Sequence, residues 1–307
     1  MHRALLAAAV SAILATAQSA TAQEDPAPRE LRLAFWNMEH FVDANDDPYV
    51  DSDLENTTGR DDAELAKMAE VISELNADIL VASEIEGEAW GRDYALRHLP
   101  ELGYTRIVGA RDESWYQNIV VFSRVPLGPI VTLKAAESTD GKGGNQFFLN
   151  GRMMIVEVRP SEDYTFLLGC VHLKAGAKDE DRATRTGQIE LLKREAARYL
   201  KVTPGGNFLV FGDMNFAPEN PEFQAITKTG FPFVNPFEEW GFPPTHPAEY
   251  PTRHIDSIYV NEAMAPEIVP ASAAVAKPFE LFEMSKMSDH LPIVVTIQAR
   301  EAEAASE

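Results

Sequence analysis

From residue 31 to about residue 298, short apolar runs alternate with amphipathic stretches. Five of the runs carry, at or just beyond one end, a polar residue that a core rarely needs. Residues 31–36 lead into Asn37, 78–83 into Glu84, 165–171 into His172 and 207–212 into Asp213, while 291–297 follows Asp289 and His290. A further run, 255–260, contains Asp256. Apolar runs of this length bounded by polar residues predict buried strands, whose flanking residues gather at a sheet edge. The pattern therefore predicts one cleft lined by carboxylates, amides and imidazoles.

Two helices are predicted by spacing. Leu65, Met68, Ala69, Ile72 and Leu75 share one face over 64–75, and Ile189, Leu192, Ala196 and Leu200 do so over 179–200. Each helix immediately precedes an apolar run. Asp61 and Asp62 before the first, and Asp179, Glu180 and Asp181 in the second, suit the positive end of a helix dipole. No linker is long enough to divide the chain, so 31–299 is read as one domain.

The N-terminus changes the cellular picture. His2 and Arg3 precede an apolar stretch over 4–17 and then Ala20-Thr21-Ala22, the pattern of a secretory signal cleaved after Ala22. That makes 1–22 a signal peptide, 23–30 a leader and 300–307 a disordered tail, and it predicts a secreted or periplasmic protein. The apolar stretch is shorter than the roughly 18–20 residues of a spanning helix, and no later segment is longer, so no stable membrane insertion is expected. No obligate protein partner is evident. Cys170 is the single cysteine and lies inside an apolar run, which excludes an internal disulfide and predicts a buried thiol.

A formal net charge of -21 argues against binding through a broad basic face. A phosphate-bearing ligand must then be held locally, by a metal ion and a few cations such as Arg152, Lys174 or Arg111. Asp43, Asn45, Asp46, Asp47, Asp51 and Asp53 lack the spacing of a helix-loop-helix calcium loop and read as solvated acidic surface. Residues 137–150, with Gly141, Gly143 and Gly144, read as a surface loop.

The sharpest local signal is Gly212-Asp213-Met214-Asn215. Gly212 is read as turning the backbone out of its strand. Asp213 and Asn215, two apart in an extended segment, would point to one side, where one accepts a proton from water and the other donates to a phosphoryl oxygen. Asp256 and His290 form a candidate pair in which the carboxylate orients the imidazole and stabilises its charge. His40, His98, His246 and His254 show no partner pattern and are read as structural.

Taken together, Trp36-Asn37-Met38-Glu39, Ser83-Glu84, Gly151-Arg152, Val171-His172-Leu173, Gly212-Asp213-Met214-Asn215, Ile255-Asp256 and Ser288-Asp289-His290 have the order and rough spacing of the endonuclease/exonuclease/phosphatase superfamily. The chain resembles that superfamily over nearly its whole mature length, and residues 36–47 look like a bacterial branch of it. The resemblance implies an α+β fold, a four-layer αββα sandwich of two mixed β-sheets flanked by helices. It implies Mg²⁺, with Mn²⁺ or Ca²⁺ as alternatives, held chiefly by Glu84 with Asn37 beside it, Asp289 near the same ion, and Glu39 where apurinic endonucleases have an aspartate. Asp213 would orient or deprotonate the attacking water, Asn215 would hold the phosphate, and His290 would contact it. His172 matches the second histidine of the pancreatic-deoxyribonuclease-like members, and Arg152 their phosphate-contacting arginine. Those members have a glutamate where Asn118 stands, at the substrate-phosphate side. An amide gives no charge to raise the histidine, so a neutral His172 is expected.

Three function classes follow. The first is a nuclease acting on DNA or RNA. The alternative is a phosphatase or lipid phosphodiesterase, sphingomyelinase-like or acting on inositol phosphates, which suits the acidic charge. For that reading only Trp115-Tyr116 and Phe147-Phe148 offer adjacent aromatics, and Phe147-Phe148 is read as core. The third is a binding module without catalysis. Retention of Asn37, Glu84, Asp213, Asn215, Asp256 and His290 speaks against it, because buried carboxylates are costly without a purpose.

Overall fold

The computed structural model describes residues 30–43, 59–110, 117–138 and 146–301. The signal peptide and most of the leader, most of the acidic loop, Arg111, Trp115-Tyr116, the three loop glycines and residues 302–307 lie outside them. In chain order the elements are β1 (Glu30–Phe41), α1 (Asp62–Leu75), β2 (Ile79–Ile85), α2 (Glu88–His98), β3 (Arg106–Gly109), β4 (Asn118–Ser123), β5 (Leu127–Thr132), β6 (Ala135–Glu137), β7 (Gln146–Phe148) and β8 (Met153–Val158). They continue with β9 (Phe166–His172), α3 (Asp179–Val202), β10 (Asn207–Asp213), α4 (Pro221–Thr227), β11 (Asp256–Val260), β12 (Ala274–Val275), α5 (Leu281–Met284) and β13 (Ile293–Gln298).

Alternation along β1 shows how the layers arise. Leu31, Leu33 and Phe35 point into a core shared by both sheets, while Ala34, Trp36 and Met38 point outward beneath helices. A six-stranded sheet runs β12-β13-β1-β2-β4-β3, and a five-stranded sheet runs β11-β10-β9-β8-β5. Between them sits the central core, where Phe35 meets Phe211 at 6.0 Å between ring centroids. Cys170 is buried in the same layer, as predicted, and burial raises its thiol pKa. On the outer face of the first sheet α1 and α2 pack through Leu65, Met68, Ile72, Trp90 and Tyr94; on that of the second, α3 packs through Ile189, Leu192 and Ala196. This is the four-layer α+β sandwich. Leu200 is only half-buried, near the C-terminal end of α3.

Both predicted helices have a topological purpose. β1-α1-β2 and β9-α3-β10 each join strands that pair in parallel, and parallel neighbours need such a crossover. Parallel pairing brings the C-terminal ends of both strands to one edge. Asn37 therefore lies opposite Ser83, one residue before Glu84, and His172 lies opposite Asp213. Asp61 caps α1 by accepting from the Glu64 amide at 2.8 Å, while the Glu64 carboxylate accepts from the Asp61 amide at 3.0 Å.

Gly212 does not turn the chain out of its strand. It pairs in register with Val171 on one side and Ser257 on the other. A Cβ there would sit 1.9 Å from the Val171 carbonyl oxygen, so glycine is required by the close approach of β9. A second difference concerns the short β6–β7 hairpin. Phe147 packs against the α3 core, but Phe148 is 80% exposed, because a two-stranded ribbon covers only one of its faces.

Candidate active site

The first-sheet half of the site is built on a bulge. Register between β1 and β2 runs unbroken to Asn37–Ser83 and resumes at Phe41–Ile85, so residues 38–40 stand opposite Glu84 alone. Glu39, His40 and Glu84 all take left-handed backbone, at φ 43, 48 and 59. Such conformations cost about 1–3 kcal/mol each and gather where function demands them. Their effect is to re-aim carboxylates. Glu84 Oε1 accepts from Asn37 Nδ2 at 3.2 Å, and its Oε2 from the His40 amide at 3.1 Å. Glu39 Oε2 accepts from the Asp289 amide at 2.9 Å. Arg60 ties the bulge down by donating to the carbonyls of Met38 and Glu39.

The second-sheet half is regular up to its last residue. Asp213 lies between His172 on β9 and Asp256 on β11, all three buried. Beyond the strand, Asn215 is not extended: at φ 53 it folds back, its amide donating to Asp213 Oδ1 at 2.8 Å. Its side-chain nitrogen reaches the Leu173 carbonyl at 3.0 Å and Asp213 Oδ2 at 3.3 Å. Asp213 and Asn215 thus share a side through a tight turn rather than through strand alternation.

The halves meet at Asp213 Oδ2. Asn37 Nδ2 lies 3.2 Å from it, His172 Nε2 3.7 Å and His290 Nε2 3.8 Å. His172 Nε2 is also 3.7 Å from Glu84 Oε1. His290 is aimed by Asp256, whose Oδ2 accepts from Nδ1 at 2.8 Å, leaving Nε2 to face the cleft. Its backbone is clamped too: Trp36 Nε1 donates to the His290 carbonyl at 3.0 Å, and Ser288 Oγ bridges the His290 amide and the Asn37 carbonyl.

Burial and neighbours set the charges. Burial lifts Asp213 to about 7 even though His290 pulls it down. For His290 burial opposes the charge, but Asp256 and Asp213 outweigh it and hold the ring protonated to about 10. Burial, reinforced by Arg152, drives His172 down to about 3, so it is neutral. Neutrality was expected from Asn118, yet desolvation dominates. Asn118 donates to the Glu86 carbonyl at 2.8 Å, and His172 Nδ1 meets no hydrogen-bond partner among the described residues. Glu84 would be raised by burial, but the Asn37 amide and the His40 backbone amide, both donating to its carboxylate, hold it below the usual range. Glu39 is raised by burial and by the like charge of Asp289.

Glu39, Glu84 and Asp289 lie close enough for the charges of Asp289 and Glu84 to raise Glu39, and carboxylate oxygens are hard donors of the kind Mg²⁺, Mn²⁺ or Ca²⁺ takes. The repulsion that raises Glu39 is what a divalent cation would relieve. Asn37 turns its nitrogen, not its oxygen, to both carboxylates, and here serves as a spacer between Glu84 and Asp213. Arg152 stands at the His172 edge, half-buried, with its guanidinium on Gln117 Oε1. Asn118 lies behind, facing Glu86.

Two histidines set aside in the sequence border the site. The His40 ring lies 3.8 Å from Glu84 Oε2, and His246 Nε2 lies 3.2 Å from Asp289 Oδ2. His40 adjoins Glu39 in the opening motif, a usable signal. His246 is 43 residues from Asp289 and nothing local marks it. His254, bonded to the Pro243 carbonyl and Ser257 Oγ, and His98, stacked on Tyr94, are structural as read.

Residues 34–290 match the model of the endonuclease/exonuclease/phosphatase family. Solved structures share the fold at low identity. The human nocturnin catalytic domain, solved with a bound sulfate anion, is 16% identical, with a TM-score of 0.63 over 87% of this chain and 94% of its own. An endonuclease/exonuclease/phosphatase from Bacteroides vulgatus is 14% identical, with a TM-score of 0.61 over 88% and 99%. TDP2 from D. rerio, complexed with single strand DNA product, is 17% identical, with a TM-score of 0.58 over 88% and 99%. Comparison with curated proteins finds no match. With more than half its length matched by the family model, the chain belongs to the endonuclease/exonuclease/phosphatase family and is a hydrolase of the phosphoester-cleaving type.

Proposed function

We propose that this protein is an exported, divalent-metal-dependent phosphodiesterase that hydrolyses the backbone of DNA or RNA. The observation that carries the reading is the meeting of two asparagine amides, two imidazoles and a base-like carboxylate at Asp213 Oδ2, with three further carboxylates on the open side. Glu84, Glu39 and Asp289 would hold the divalent cation, which would supply charge neutralisation at the phosphoryl oxygens. The side chains do the rest. Asp213, ionised near neutral pH, takes a proton from the attacking water. Protonated His290, held by Asp256, donates from Nε2 to a phosphoryl oxygen as negative charge develops there. Neutral His172 and the amide of Asn215 complete the ring of donors, and Arg152 contacts the phosphate from the His172 edge. Water attacks phosphorus in line, the P–O bond to the leaving sugar oxygen breaks and that oxygen takes its proton from solvent, so no covalent intermediate forms.

Nucleic acid is favoured as substrate by the two histidines beside the phosphate site, and the scaffold accommodates a DNA product in D. rerio TDP2. Two observations favour a second reading, a small or lipid-borne phosphate ester: the net charge of -21 and the exposed Phe148 on its hairpin. No helix among the described residues is long and apolar enough to cross a membrane. The test is a panel of plasmid DNA, RNA, sphingomyelin, inositol phosphates and an activated diester with Mg²⁺, Mn²⁺ and Ca²⁺. Cleavage of nucleic acid that chelator and Asp213→Ala both abolish is expected. Cleavage of only the lipid or inositol substrates moves the assignment to the second reading; turnover indifferent to chelator removes the metal. Export is checked by N-terminal sequencing of protein recovered outside the cytoplasm, where a start at Gln23 is expected and an intact Met1 would overturn it.

A further inference from the structure

Both ring nitrogens of His246 are engaged. Nδ1 lies 2.7 Å from Arg253 Nη2, and Nε2 lies 3.2 Å from Asp289 Oδ2. A guanidinium has donors and no acceptor. Nδ1 must therefore accept, the proton of the neutral ring sits on Nε2, and that proton is given to Asp289. We propose that Arg253, His246 and Asp289 form a one-way hydrogen-bond relay, with His246 a positioning residue that holds the Asp289 carboxylate in its ligand pose beside His290. The purpose of the relay rests on the reading of Asp289 as a ligand to the activating cation.

Asp289 needs such a tether. Its side chain is 45% exposed, so water competes for its oxygens and several rotamers are open to it. The hairpin over 245–253 grips it twice. Ala248 donates its amide to the Asp289 carbonyl at 2.7 Å, while His246 holds the carboxylate. The hairpin is closed by paired backbone bonds between His246 and Arg253, at 3.1 and 2.9 Å. Its first residue, Thr245, accepts from the Asp256 amide at 3.2 Å, so one loop is tied to both aspartates that flank His290.

The arrangement also decides against another role for the same residues. His246, Asp289 and His290 offer ligand atoms within 4.8 Å of one another, which resembles a site for a softer transition metal. A metal on Nε2 would move the ring proton to Nδ1, directly against Arg253 Nη2, so the bond from Arg253 disfavours ligation.

The test uses the full mature chain. Proton–nitrogen correlation spectra of the metal-free protein should show His246 as the Nε2–H tautomer; an Nδ1–H tautomer overturns the relay. Titration with Mn²⁺ should then show binding weakened about 10–100-fold in His246→Ala, the usual cost of removing a partner behind a ligand. His246→Gln, whose amide can still donate, should recover part of the loss, and Arg253→Ala should weaken binding in the same direction but less. Unfolding temperatures without metal should match, which separates tethering from misfolding. Unchanged Mn²⁺ affinity in His246→Ala overturns the proposal. So does a zinc equivalent that His246→Ala removes and Arg253→Ala leaves in place. A wild-type protein that binds no Mn²⁺ sinks the cation reading, and the purpose given to the relay with it, while the tautomer still judges the relay itself.

Discussion

The two sheets reach the site with different backbones. The first-sheet half, carrying Glu39, Glu84 and Asp289, is bulged and left-handed at Glu39, His40 and Glu84, and its carboxylates are partly open to solvent. The second-sheet half, carrying His172, Asp213 and Asp256, is in unbroken register, with those residues 3%, 1% and 0% exposed. The open half controls where oxygens point, through strain and tethers. The buried half controls which groups hold protons, through desolvation and close charges. On the proposed reading, ligand placement falls to the first sheet and proton chemistry mainly to the second, with His290 reaching Asp213 and Asp256 from the start of β13, and substitutions in the two sets should fail differently.

The largest expected effect lies with the groups that hold protons. Asp213→Ala or His290→Ala should lower kcat by about 10³-fold or more with the fold intact, since each removes a group that acts only at the reacting phosphate. Steady-state kinetics beside circular dichroism check this, and full turnover by a well-folded Asp213→Ala protein would refute its role. In the open half, Glu84→Gln should chiefly weaken activation by Mg²⁺, by about 10–100-fold, with much of kcat recovered at high Mg²⁺. Equal and unrecoverable losses in both halves would erase the difference between them. Gly212→Ala probes the regular backbone itself: with Val171 O in the way, it should cost about 1–3 kcal/mol in urea unfolding, and a neutral outcome would mean that β9 and β10 can slide apart.

The smallest effects are in pH. Activity should rise as Asp213 ionises through about 7 and fall as His290 loses its proton near 10. The sign on stability is opposite. Asp213 has its folded pKa raised by burial, so its contribution is present below the unfolded value and is lost as pH rises through about 7. Asp213→Asn lacks this loss and should gain stability relative to wild type between about pH 5 and pH 8. A constant difference across that range would show that Asp213 ionises normally.

The strands that carry the site, the two long helices and the residues at those strand ends are local matters, and the sequence by itself determined them. Leu31, Leu33 and Phe35 alternate because strands have a period of two, and Leu65 to Leu75 recur because helices have one near 3.6. Asn37, Glu84, His172, Asp213 and His290 were readable because each sits where an apolar run ends. The signal-like start and the acidic charge are compositional, and no fold is needed to see them. The tertiary structure alone decided the rest, because it depends on contacts between residues far apart in the chain. Asn215 reaches Asp213 through a left-handed turn, and Gly212 is small because β9 presses on it. His172 is neutral chiefly because it is buried. His246 joins the site because a hairpin folds back onto Asp289. Strain, desolvation and long-range hydrogen bonds leave no period in a sequence, so they appear only once the sheets are packed.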